Sequence, residues 1–210
     1  MLHKCYKYYS FCVVMSDGAY KLFEIADAQQ GYFTAAQARL CGYPTSNHSY
    51  HVKAGSWKRM HRGIYRLVRY PQSDDEQYVL WSLWSCNRAG EPQGVYSHQT
   101  ALSMFELSDL MPAKLHMTVP ASFRRNAPIP DILTLHRGTI SPSELEERRG
   151  YQVTRPLKAI ADLLAEKSAP RERLGQALHQ GLAKGLITRS EVDAYPVGPE
   201  LNQLLERPPR

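Results

Sequence analysis

The sequence predicts an α+β protein: an N-terminal winged helix-turn-helix followed by a mixed α/β C-terminal domain. Three observations carry this. Three short helical periodicities come first, joined by three or four residues and closed by a basic hairpin. A turn-rich stretch, Tyr70-Pro71-Gln72-Ser73-Asp74, then marks a boundary. Beyond it, short alternating strands are interspersed with amphipathic helices.

The order of elements supports each step. Ala19 to Gln29 carries Leu22, Phe23, Ile25 and Ala26 at helical spacing, and Gly31 stands where a terminating glycine belongs. Tyr32-Phe33 is a short extended step. Thr34 can cap the next helix, Ala35 to Leu40, and Gln37 completes a capping box. Pro44-Thr45-Ser46 opens a third helix that runs to about Ala54 and stops at Gly55. Trp57 to His61 and Ile64 to Val68 read as paired strands about an Arg62-Gly63 turn.

The second part begins with a continuously apolar helix, Asp75 to Cys86. A short helix entered through Tyr96-Ser97-His98 follows, then strands over 114–120, 132–136 and 151–153. Helices are expected over Pro156 to Glu166, Arg171 to Leu182 and Thr188 to Ala194. The expected organisation is an N-terminal extension (1–16), the winged unit (17–70), the α/β domain (71–195) and a flexible tail (196–210). The weakly basic, tyrosine-rich opening lacks a signal-peptide cleavage site, and an over-extended start with translation from Met15 is the favoured explanation. A short added strand is the alternative.

Charge is concentrated at the front. Residues 1–70 hold ten Lys/Arg against three Asp/Glu, a surplus of seven, although the whole chain carries only +6. A local positive field raises the encounter rate with polyanions. No run of eighteen apolar residues occurs, so no membrane-spanning helix is expected. The cysteines, Cys5, Cys12, Cys41 and Cys86, form no C-x-x-C pair, and no Cys/His group has zinc-ligand spacing. A reducing cytoplasm, with no disulfide, no metal and no cofactor, is the expectation.

The third helix and the hairpin are the candidate nucleic-acid surface. His48, His51 and Val52 share one helix face and are expected to pack inward. Thr45, Ser46, Asn47, Ser49, Tyr50 and Lys53 lie on or near the other face. Short polar donors near a helix N-terminus suit the major groove, where Asn47 can pair bidentately with adenine. Lys58, Arg59, Arg62 and Arg66 put four cations on the hairpin, as a wing along a phosphate backbone requires. Either feature alone also describes a solvated face. Together they favour double-stranded DNA as the partner. Arg124 and Arg125 lie in the loop between two strands, as a secondary nucleic-acid or partner contact or as the solubilising tip of a β-hairpin.

Enzymatic patterns are missing. Asp162 and Glu166-Lys167 come nearest to a metal-dependent nuclease set but lack an E-x-K arrangement, and they read as a solvated helix face. Ser97-His98 is too close in sequence for a nucleophile and its base. No G-x-S-x-G, H-E-x-x-H or phosphate-cradling glycine loop occurs.

The stretches Gly31-Tyr32-Phe33-Thr34, Ser49 to Gly55 and His61-Arg62-Gly63-Ile64-Tyr65-Arg66 together resemble the N-terminal domain of AbiEi-type antitoxins. The likeness extends to Ser97-His98-Gln99-Thr100, His116 to Pro120, Leu135-His136-Arg137-Gly138 and Val153-Thr154-Arg155-Pro156. The resemblance implies a transcriptional autorepressor of a type IV toxin–antitoxin operon, binding inverted repeats at its promoter. It implies a nucleotidyltransferase-like toxin as functional partner, without a stable complex. A protein-interaction module that neutralises a toxin without specific DNA binding is the alternative, and a nuclease is a more distant one.

Overall fold

A computed structural model describes residues 17–107 and 112–206. The expected N-terminal extension, residues 1–16, lies outside the described residues, as do 108–111 and the last four positions. The chain divides into two compact units between Gln72 and Ser73.

The first unit runs α1 (Asp17–Ala28), β1 (Tyr32–Thr34), α2 (Ala35–Leu40), α3 (Thr45–Lys53), β2 (Trp57–His61) and β3 (Ile64–Leu67). Local chemistry sets these boundaries. The Thr34 hydroxyl accepts from Gln37 N–H and the Gln37 side chain accepts from Thr34 N–H, so α2 opens with a complete capping box. Gly31, at φ 88°, turns the chain after α1, and a Cβ there would meet the Tyr70 ring at 2.6 Å. The three strands form an antiparallel sheet in the order β1-β3-β2. Met60 is the extra residue where the β2–β3 register shifts between Arg59 and His61. Leu22, Ala26, Phe33, Ala38, Cys41, Trp57 and Tyr65 make up the core of this unit.

The second unit contains α4 (Glu76–Trp84), β4 (Val95–Tyr96), α5 (His98–Met104), β5 (Leu115–Val119), β6 (Leu133–Arg137), β7 (Leu145–Arg148) and β8 (Tyr151–Thr154). Helices α6 (Pro156–Ala165), α7 (Arg171–Ala183), α8 (Arg189–Ala194) and α9 (Gly198–Leu205) complete it. Its five strands are ordered β6-β5-β4-β8-β7. The β5–β6 and β4–β8 pairs are parallel, and the β4–β5 and β7–β8 pairs antiparallel. The molecule as a whole is thus α+β, as the patterning predicted.

Two expectations are corrected here. The β5–β6 connection is not a β-hairpin, because the strands are parallel; residues 120–132 are a crossover, and Arg124 and Arg125 sit within it. Residues 196–210 are not all tail. Helix α9 forms from Gly198 to Leu205 and buries Leu201 and Leu204, with α7 among its neighbours. Burying those two leucines offsets the conformational entropy that would otherwise leave the segment loose.

Candidate nucleic-acid interface

Helix α3 presents two different faces. Thr45, Ser46, Asn47, Ser49, Tyr50 and Lys53 are all exposed, Tyr50 to 68%. The opposite face is seated on aromatic rings. His48 is only 2% exposed, and its Nε2 lies 2.9 Å from the Tyr43 carbonyl oxygen. A carbonyl can only accept, so Nε2 carries the hydrogen. The His48 ring meets Trp57 and Tyr65 with centroids 5.4 Å away in each case. Trp57 also takes the His51 ring in a stack and the Tyr43 ring edge-on. The inward reading of His48, His51 and Val52 therefore matches the packing.

Trp57 belongs to β2, the strand that carries the first wing cations. One indole consequently ties α3 to the hairpin and fixes the spacing between the polar helix face and Lys58 and Arg59, both exposed. Arg62 is exposed at the turn beside Gly63, which adopts φ 74°. The Gly63 carbonyl accepts from Ala35 N–H at 2.8 Å, so the wing tip is also anchored to the first turn of α2.

Arg66 departs from the expectation. It is 6% exposed and lies on the central strand of the sheet, in register with Tyr32 on β1 and Lys58 on β2. Its guanidinium donates to the carbonyls of Leu67, Tyr70 and Pro71, with the shortest bond 2.8 Å to Pro71, and lies 5.8 Å from the Tyr32 ring centroid. Arg66 secures the chain leaving the hairpin and is not available on the wing surface. The exposed wing cations are Lys58, Arg59 and Arg62.

In the second unit, Arg124 donates to the carbonyls of Ala121 and Phe123. Arg125 donates to the Cys86 carbonyl and covers the Trp84 ring at 5.0 Å. Arg124 thus braces the crossover internally, and Arg125 holds it against Trp84 of α4 and the chain just after that helix.

The sequence reading missed one constellation. His98 at the start of α5, His116 on β5, His136 on β6 and Glu166 at the end of α6 meet at one point. The His98 and His136 rings stack with centroids 3.6 Å apart, and Glu166 Oε1 lies 3.2 Å from His98 Nε2 and 3.0 Å from His136 Nδ1. Burial and the neighbouring His136 push the His98 pKa down; the same burial, with His136 and His98, pushes His116 down to about 4. Burial works to raise the Glu166 pKa, but the two adjoining histidines outweigh it and hold the carboxyl below its usual value. Glu166 is therefore not a merely solvated helix residue. No linear spacing announces this group, because its members come from four separate elements.

The first unit has a winged-helix fold with an exposed helix face and an exposed basic hairpin. Residues 20–68 match the family model described as a transcriptional regulator, AbiEi antitoxin, which bears out the resemblance over that unit. The RV2827C protein from Mycobacterium tuberculosis has a similar fold, with a TM-score of 0.52 at 14% identity, over 92% of this chain and 73% of that one. No curated protein matches the chain. Among the described residues, no helix is long and apolar enough to cross a membrane.

Proposed function

We propose that the protein is a DNA-binding transcriptional regulator, acting as antitoxin and autorepressor of a toxin–antitoxin operon. The observation that carries this is the pairing of two surfaces through Trp57: the exposed polar face of α3 and the exposed cations Lys58, Arg59 and Arg62. In this reading α3 enters the major groove of promoter DNA, with Asn47 at an adenine edge and Ser46 and Ser49 at bases or phosphates. Thr45, at the helix N-terminus, approaches a phosphate, and Tyr50 and Lys53 lie along the backbone. The wing cations follow the adjoining strand or the minor groove. Inverted repeats in the promoter and a nucleotidyltransferase-like toxin as functional partner extend the same reading; they rest on the family likeness.

The test is a gel-shift titration on the DNA upstream of the gene, with unrelated DNA as control and magnesium present or absent. The triple variant Asn47→Ala, Arg59→Ala, Arg62→Ala is run alongside. Preferential binding to upstream DNA, lost in the variant and without cleavage, supports the reading. Equal weak binding to every DNA, or none, rejects it and moves the weight to a module that neutralises a toxin by protein contact alone. Magnesium-dependent loss of DNA would point to a nuclease.

A further inference from the structure

The cluster in the second unit has features beyond packing. His98 is 3% exposed, and its Nε2 makes no hydrogen bond. Glu166 Oε1 stands 3.2 Å from it. His98 also holds a positive φ of 54°, a left-handed conformation that costs a non-glycine residue energy. Its ring stacks on that of His136 beside Glu166, whose side chain is 43% exposed.

The separations suit ligation. Around an ion with bonds of about 2.0–2.1 Å, tetrahedral ligand atoms stand about 3.3 Å apart. The carboxylate oxygen is 3.2 Å and 3.0 Å from the two imidazole nitrogens, the shorter distance being a hydrogen bond with His136 that an ion would replace, and all three atoms lie within 4.8 Å of one another. Outer partners are in place as well. His136 Nε2 is 2.9 Å from His116 Nδ1, and His98 Nδ1 is 2.9 Å from Ser97 Oγ, which also accepts from Thr118. Such contacts fix ring orientation and tautomer in metal sites.

We propose that His98 Nε2, His136 Nδ1 and Glu166 Oε1 form a binding site for one divalent transition ion of the zinc type. Two imidazoles and a carboxylate suit such an ion better than magnesium or calcium, which take oxygen ligands. The fourth position faces solvent beside Glu166. The rings stack only 14° from parallel, so their lone pairs run side by side. Binding therefore tilts the His136 ring, whose side chain is 17% exposed, about its contact with His116 Nδ1, turning its Nδ1 toward the ion while His98 stays in place. The site lies wholly in the second unit, and its test involves no DNA, so its outcome is independent of the regulator reading.

The untagged full chain, stripped of metal with a chelator, is titrated with zinc by calorimetry and with cobalt(II) by visible absorption. One equivalent of zinc is expected, with cobalt bands typical of a four-coordinate site and no heat from magnesium. Glu166→Gln and His136→Ala should each weaken zinc binding about a hundredfold or more and remove the bands, and His116→Ala should cost about tenfold. Glu166→Gln decides the matter should a histidine variant fail to fold, because its side chain is partly exposed. Absence of zinc heat with the wild-type chain overturns the proposal. So does identical zinc binding by wild type and Glu166→Gln, which would mean that the ion is held elsewhere.

Discussion

The imidazole of His51 lies on the indole of Trp57, with ring centroids 4.5 Å apart and planes 21° from parallel. His51 is on α3 and Trp57 on β2, so this stack joins the helix and the wing on which the proposed function depends. Trp57 is 4% exposed and also meets Phe33, Tyr43, His48 and Tyr65. Trp57→Ala should destabilise the first unit by about 3–5 kcal/mol. Chemical denaturation of the two proteins checks this, and Trp57→Phe should lose distinctly less.

Arg62 and Arg66 should behave oppositely, although both are arginines of one hairpin. Arg66→Ala leaves carbonyls at Leu67, Tyr70 and Pro71 without their donor and should cost about 1–3 kcal/mol of stability. Arg62→Ala should leave stability unchanged and lower the salt dependence of DNA affinity by about one unit of slope. Equal melting temperatures for the two variants would contradict the burial of Arg66.

Within α3, Asn47 and Lys53 should separate specificity from general affinity. Asn47→Ala should weaken binding to the preferred site by about 1–3 kcal/mol and relax the choice of base at one position. Lys53→Ala should weaken binding to all sequences alike. Competition binding with single-base variants of the upstream site distinguishes the two patterns.

The cap of α8 gives a pH prediction. Backbone and hydroxyl hydrogen bonds from Thr188 hold the Glu191 carboxyl below its usual pKa. The folded value lies below the unfolded one. The stabilisation is therefore present above the unfolded carboxyl pKa and fades as pH falls through the folded value. Thr188→Ala should cost about 1 kcal/mol at neutral pH and less in acid. Stability measured across the acid range checks the sign.

The first unit was legible because its signals are local. The Thr34–Gln37 box, Gly55 after α3 and the Arg62-Gly63 turn each act within four residues. The burial of Arg66 was not legible, because it follows from β3 being the central strand, a property of pairing order. Strand β7 escaped because Leu145-Glu146-Glu147-Arg148 shows no apolar alternation, and pairing with β8 overrides its weak propensity. Helix α9 escaped because its short, Gly-Pro-opened segment gains order only by burying Leu201 and Leu204. The His98–His136–Glu166 group depends on long-range topology and has no sequence spacing of its own.

The parallel pairing of β4 with β8 has a consequence for synthesis on the ribosome. Tyr96 finds its partner Val153 only after the intervening chain has been made, whereas the last strand partner of the first unit is already present at Leu67. At roughly 5–20 residues per second, the winged unit can close seconds before the second sheet has all its strands. During that interval Val95 and Tyr96, both buried in the finished sheet, stand without β8. The nascent chain is then most open to capture by chaperones or to aggregation, and slowing translation after residue 96 would lengthen the exposure.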